Sequence, residues 1–225
     1  MFQFVFFDLD DTILDFHQAE AIAVAKAFRA VGLTPTEEMV ARYSQVNQLH
    51  WRRLERGELT REEVLVQRFV CLFQELGVQA DAVRCREQYE QFLGIGHFFM
   101  EGAPEILDYL APKYRLFLAS NGTAAVQRSR LQSAGITGYF EQLFISEELG
   151  ANKPTRAFFD RAFRQIPDFD PQRAIFIGDN LTSDILGGQN AGITTCWLNP
   201  DDKPRLPEIQ PDYEIARLEE LKQIL

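Results

Sequence analysis

Cysteine is scarce in this chain. Cys71, Cys85 and Cys196 are the only three, and no two form a Cys-x-x-Cys pair. An odd number without that spacing reads as reduced thiols in a cytoplasmic protein, packed as small hydrophobes. Positive charge is also short: 23 Lys and Arg face 33 Asp and Glu, a formal net charge of −10. That balance disfavours nucleic acid polymers and anionic membranes as partners. An anionic ligand would need local positive charge, from a metal or from a few placed Lys and Arg. No run approaches the roughly 18 apolar residues of a membrane span. The first residues carry no basic, signal-like stretch, and there is no repeat or low-complexity tract. What is present is apolar: 46% of the 225 residues, 19 of them Phe. That is enough for a real core and excludes disorder. The length fits one large domain or two small ones.

The chain reads as three blocks. Residues 2–8 form an apolar strand with a carboxylate-rich turn. Residues 16–100 read as wholly helical. Asp15 and Gln18 can form a capping box for a helix that stops near Gly32. Thr34-Pro35-Thr36-Glu37 starts a second helix, with Pro at its first position, that stops at Gly57. Thr60 and Glu63 cap a third that ends at Gly77, and a fourth covers 81–93. The last block alternates strands at 115–120, 143–146, 174–178 and 194–198 with helices at 124–134, 155–165 and 183–191, then a short helix at 218–225. Alternation of this kind implies a parallel sheet covered by helices. The helical block is then an insertion, tethered at 13–17 and 94–103, forming a cap over the carboxyl edge of the sheet.

Chemistry-bearing residues fall at the strand ends. The first strand runs into Asp8-Leu9-Asp10-Asp11-Thr12. Aspartates are poor strand formers, so Asp8 and Asp10 belong just past the strand, where open α/β sheets bind ligands. Carboxylates this close repel unless a cation lies between them, and Mg²⁺ with oxygen ligands meets that need. Ser120-Asn121-Gly122 reads either as a plain turn with a helix cap or as an anion cradle. Lys153 lies in a loop stiffened by Pro154, where an ammonium can neutralise a phosphoryl oxygen and carboxylates. Asp179 stands to its strand as Asp8 does to the first. Asp184 lies one turn on, either as a first-turn acid or pointing back to the same cation.

Taken together, Asp-x-Asp-x-Thr, then Ser, then Lys, then Gly-Asp-x₄-Asp resembles the haloacid-dehalogenase-like hydrolase superfamily, in the subgroup with a helical cap. The resemblance spans essentially the whole chain. It implies an α/β fold: a Rossmann-like parallel-sheet core from residues 1–15 and 101–225, with an all-helical cap domain inserted at 16–100. Further residues are similar to the pyrimidine 5′-nucleotidase family. They are Val46-Asn47, Trp51, Gly57 and Phe69, then Ser146-Glu147-Glu148, the run 183–192, and Cys196-Trp197-Leu198-Asn199.

The resemblance implies a Mg²⁺-dependent phosphomonoester hydrolase working through an aspartyl-phosphate. Its substrates would be pyrimidine nucleoside monophosphates: dUMP, UMP, dTMP and modified analogues. Asp8 would be the nucleophile and Asp10 the acid and base. Asp8, Asp179 and the main-chain carbonyl of Asp10 would ligate Mg²⁺, with Asp184 behind them. Ser120, Asn121 and Lys153 would hold the phosphoryl oxygens, Thr12 would make a hydrogen bond within the turn, and Asn47 and Trp51 would meet the substrate from the cap. The partner is a small phosphomonoester, and the chain a monomer or weak homodimer. Two other readings stand beside this one. A sugar-phosphate phosphatase or phosphomutase would keep every core motif. A non-catalytic phosphate-responsive module would also use Asp, Mg²⁺ and Lys, but it would have no use for Asp10. The histidines, His17, His50 and His97, fall in the helical block or its tethers, and a partly exposed helix position is expected for His50.

Overall fold

Four consecutive apolar residues, Phe4–Phe7, form β1 in the computed structural model, which describes residues 1–225. A strand apolar on both faces must be covered on both, as happens in parallel sheets. β2 (Arg115–Ser120), β3 (Gln142–Ile145), β4 (Ala174–Gly178), β5 (Thr194–Leu198) and β6 (Tyr213–Ile215) complete one six-stranded sheet. All pairings are parallel and the order is β3-β2-β1-β4-β5-β6. This is a doubly wound, Rossmann-like arrangement, with its topological switch between β1 and β4. Phe7 aligns with Leu118 of β2 and Ile177 of β4, so the three central strands end within two residues of one another along one edge.

Alternation along the strands builds two cores. Val5, Phe7, Leu116, Leu118, Ile175 and Ile177 face one side. There they meet Ile106, Leu107 and Leu110 of a helix at Ala103–Leu110, and Leu131 of another at Ala124–Ala134. Phe4, Phe6, Phe117, Phe144 and Phe176 face the other side, against Phe158, Phe159 and Ala162 of a helix at Arg156–Phe163. Phe6 lies 5.0 Å from Phe117 and 6.4 Å from Phe176, ring centre to ring centre. The phenylalanine-rich composition therefore fills one face of the sheet.

The chain divides into two compact units, Met1–Asp15 with Phe98–Leu225, and Phe16–His97. The second holds α1 (Phe16–Ala30), α2 (Glu37–Glu55), α3 (Arg61–Glu75) and α4 (Ala82–Gly94). The first holds α5 (Ala103–Leu110), α6 (Ala124–Ala134), α7 (Ser146–Leu149), α8 (Arg156–Phe163), α9 (Leu186–Ala191) and α10 (Leu221–Ile224). Thr60 and Glu63 make the expected capping box at α3. Thr36, not Pro35, borders α2: its hydroxyl accepts from Met39 N–H, so Pro35 precedes the cap. Residues 98–100 belong to the first unit, because Asp15 N–H donates to Phe98 O and Leu14 pairs with Phe99. The expected helix at 183–191 is split into a π-helical turn, Leu181–Ile185, and α9. α5 and the edge strand β6 were not expected. No helix is long and apolar enough to cross a membrane.

If Phe6 is the centre of the aromatic face, Phe6→Ala should lower unfolding free energy by about 3–5 kcal/mol in a urea titration. A loss below about 1 kcal/mol would contradict that packing.

Candidate active site

The neighbouring strand ends bring the motif residues together. Asp8 follows β1, and its N–H donates to Ile177 O, which pins the turn to β4. Ser120 closes β2, and Asp179 follows β4. Lys153 enters from the loop after α7, preceding Pro154 through a cis peptide bond. Its Nζ donates to Asp8 Oδ1 at 2.6 Å, to Asp184 Oδ1 at 2.7 Å and to Ala119 O at 2.7 Å. All three ammonium N–H groups are therefore used, and the side chain is only 2% exposed. Burial lowers the Lys153 pKa, but Asp184 and Asp8 outweigh it, so the group is held charged.

Asp8, Asp179 and Asp184 each offer a carboxylate oxygen, and these oxygens lie within 4.8 Å of one another. Asp184 thus shares the cluster formed by Asp8 and Asp179. Its Oδ2 accepts from Asn180 N–H at 3.1 Å. Gly178 makes this possible: a Cβ there would lie 2.3 Å from Asp184 Oδ2. One ammonium pairs with two of the three carboxylates, Asp8 and Asp184. Burial pushes the Asp8 carboxyl up to about 8, with Lys153 opposing and Asp184 and Asp10 adding to the rise. Burial, then Asp184 and Asp8, raise Asp179 well above the usual range. Three hard oxygen donors with surplus negative charge fit a divalent cation such as Mg²⁺.

Asp10 has different company. Its carboxylate is 28% exposed and accepts at Oδ1 from Arg130 Nη1. Oδ2 accepts from Gln127 Nε2 at 2.6 Å. Ser120 Oγ accepts from Gly122 N–H at 3.0 Å and Gln127 Nε2 at 2.9 Å, which leaves its own O–H to donate to a ligand.

Several expectations need correction. Asn121 is in the site, but its Oδ1 accepts from Lys153 N–H at 2.8 Å and its Nδ2 donates to Lys153 O at 3.0 Å. These two bonds fix the lysine loop. Thr12 is buried, and its hydroxyl makes no hydrogen bond, so the expected bond within the turn is absent. In the helical unit Asn47 is buried, with Nδ2 donating to Glu20 at 2.6 Å and Oδ1 accepting from Arg68 Nη1 at 2.7 Å. Both ends of its amide are therefore engaged within the helical unit. Phe69 is core, stacked 5.0 Å from Tyr43. Trp51 remains half-buried, with the Arg61 guanidinium 5.5 Å from its ring centre. His50 is buried, its Nδ1 2.8 Å from Val46 O. Arg130, Gln127, Glu20 and Arg68 were missed. The available signal was Gln127 and Arg130 spaced i, i+3 on the helix after Ser120-Asn121-Gly122.

A family model for haloacid dehalogenase-like hydrolases matches residues 2–192, and the chain belongs to that family. It is 43% identical over 219 residues to the HAD-hydrolase YfnB of Bacillus subtilis, covering 97% of this chain and 93% of that one. The crystal structure of YfnB bound to magnesium matches with a TM-score of 0.95 at 42% identity, covering 100% and 98% of the two chains. The chain is 35% identical over 221 residues to the pyrimidine 5′-nucleotidase PynA of Streptococcus pneumoniae, covering 98% and 93%. It is 32% identical over 221 residues to the pyrimidine 5′-nucleotidase YjjG of Escherichia coli, covering 98% and 96%.

Asp8 and Asp179 are both raised, so across this range the folded chain keeps protons that the unfolded chain has released. Stability then falls as pH rises from the unfolded carboxylate value toward that of the fold. Metal-stripped protein should melt at lower temperature at about pH 8 than at about pH 5, and Mg²⁺ should recover more at the higher pH. A metal-free melting temperature that rises over this window would contradict a buried cluster of three carboxylates of which one ammonium pairs with two.

Proposed function

We propose that the chain is a Mg²⁺-dependent phosphomonoesterase acting through an aspartyl-phosphate on Asp8, with pyrimidine nucleoside 5′-monophosphates as its substrates. One observation carries the chemistry. Two aspartates on one turn have opposite surroundings: Asp8 is buried against Lys153, while Asp10 is half-exposed against Arg130 and Gln127. Carboxylates whose environments differ this way divide the roles of nucleophile and acid/base.

In the first step an Asp8 oxygen attacks phosphorus and the bond to the ester oxygen breaks. Asp10 gives its proton to that oxygen, which leaves as an alcohol. In the second, Asp10 takes a proton from water as the water oxygen attacks phosphorus. The Asp8–phosphorus bond breaks and orthophosphate departs. The Ser120 hydroxyl and Lys153 ammonium hold the phosphoryl oxygens, one of which replaces an existing partner of Lys153. Asp8, Asp179 and Asp184, with the Asp10 carbonyl, would hold Mg²⁺, which would supply the positive charge that lets the carboxylates ionise beside a phosphate.

The helical unit Phe16–His97 serves as the cap, and it reads the leaving group. The nucleotidase assignment is supported by the similarity to PynA and YjjG along nearly the whole chain. With Asn47 and Phe69 enclosed, Trp51 is the cap residue of the original pair left to stack on a base.

Asp8→Asn should reduce turnover by a factor on the order of 10³ or more while the protein stays folded. In a panel of esters, dUMP, dTMP and UMP should show higher kcat/KM than AMP, GMP or hexose phosphates. Trp51→Ala should change that ranking by roughly 10- to 200-fold and leave p-nitrophenyl phosphate hydrolysis much less affected. Hexose phosphates as the best substrates would end the nucleotidase reading and leave the phosphomonoesterase one intact. Full turnover by Asp8→Asn would end the aspartyl-phosphate mechanism, whatever the substrate.

A further inference from the structure

α6 carries two polar residues where a helix normally packs apolar ones. Gln127 is 2% exposed and Arg130 0%, beside buried Val126 and Leu131. Burying a guanidinium is costly, and an apolar side chain of similar volume is often as good for stability. The fold alone does not call for Arg130. Its Nη1 reaches Asp10 Oδ1 and also Gln127 Oε1, the latter at 3.1 Å. That second bond fixes which way the Gln127 amide faces. Its NH₂ end then bridges Asp10 Oδ2 at 2.6 Å and Ser120 Oγ at 2.9 Å. The path of this amide is kept open by Gly122, where a Cβ would lie 2.4 Å from Gln127 Nε2.

The two oxygens of Asp10 are therefore not equivalent. Oδ1 meets a charged donor on a buried side chain. Oδ2 meets a neutral amide that already shares its donors with Ser120. Oδ1 stands in an ion pair with a fully buried guanidinium, whereas Oδ2 meets only an uncharged donor, so Oδ1 is the anchored atom and Oδ2 the one that can exchange partners.

We propose that Arg130 and Gln127 are positioning residues for Asp10: Arg130 anchors Oδ1, and Gln127 holds Oδ2 ready to turn to the leaving oxygen while tying it to the phosphoryl-binding hydroxyl of Ser120. This rests on the phosphomonoesterase reading above. It adds a division of labour within one carboxylate and a link between the phosphate cradle and the proton donor. Positioning matters because a misplacement of about 1 Å can cost on the order of 10²-fold in rate.

The test uses leaving groups of different basicity. An alkoxide leaves poorly unless it is protonated, whereas p-nitrophenolate leaves without a proton. Single-turnover rates of alcohol release from dUMP and from p-nitrophenyl phosphate are compared for Gln127→Leu, Arg130→Met and Arg130→Lys in Mg²⁺-loaded protein. Gln127→Leu and Arg130→Met should slow the dUMP reaction by about 10²-fold, and the aryl ester at least about tenfold less than that. KM for dUMP should stay close to wild type, and Arg130→Lys should recover part of the loss. Equal slowing of both esters in a variant that melts like wild type would overturn the proposal, as would no slowing of either. If Arg130→Met does not fold, Gln127→Leu, which keeps the ion pair, decides the matter. A wild type that hydrolyses neither ester would overturn the phosphomonoesterase reading and this proposal together. A wild type that hydrolyses both, with variants lacking the leaving-group bias, would overturn the proposal alone.

Discussion

The Lys153 ammonium is the point on which the site depends. It sits almost out of water and gives its three N–H groups to Asp8, Asp184 and Ala119 O. These partners come from the end of β1, the π-helical turn after β4 and the end of β2. A charge removed from water this fully costs several kcal/mol unless every donor is met with good geometry. Here every donor is met, and the lysine in turn fixes the spacing of three chain segments. Asn121 completes the arrangement by holding the Lys153 main chain at both its N–H and its carbonyl. Gly178 completes it from the other side by leaving room for the Asp184 carboxylate.

A single ammonium cannot balance three carboxylates. The upward shifts of Asp8 and Asp179 report that surplus. In a chain with net charge −10, few cations are available, and two of them are buried at this sheet edge. Lys153 serves Asp8 and Arg130 serves Asp10, although the two aspartates are only two residues apart. The turn thus separates two otherwise equivalent carboxylates by giving each its own cation. The remaining charge deficit lies where Asp8, Asp179 and Asp184 converge, and a divalent cation fits there.

Much of this was legible in the sequence, because a parallel sheet places strand ends on one edge. Once the strands at Asp8, Ser120 and Asp179 were recognised, the convergence of those residues followed from topology. Lys153 was legible only as one member of that set. What escaped were partnerships formed across long separations. Asn121 reads locally as an anion donor, yet its partner is the main chain of Lys153. Asn47 reads as a cap residue meeting the substrate, yet its side chain bonds Glu20 of α1 and Arg68 of α3. Arg130 and Gln127 look like ordinary solvent-facing helix residues, and only the packing of α6 shows them buried. β6 was missed because Tyr213–Ile215 is a three-residue edge strand with a charged centre, too short for a periodic signal. α5 was missed because Gly102 and Ala103 fall within the stretch 94–103 read as a tether, whereas Gly102 caps the helix and Pro104 stands in its first turn.

The stereochemical course at phosphorus tests the central claim most directly. A substrate made chiral at phosphorus with oxygen isotopes and sulfur is hydrolysed in isotopically labelled water, and the configuration of the released thiophosphate is determined. Transfer to Asp8 and then to water comprises two in-line displacements, so net retention is expected. Net inversion would mean direct attack by water and would contradict an aspartyl-phosphate formed at the carboxylate that Lys153 holds in place.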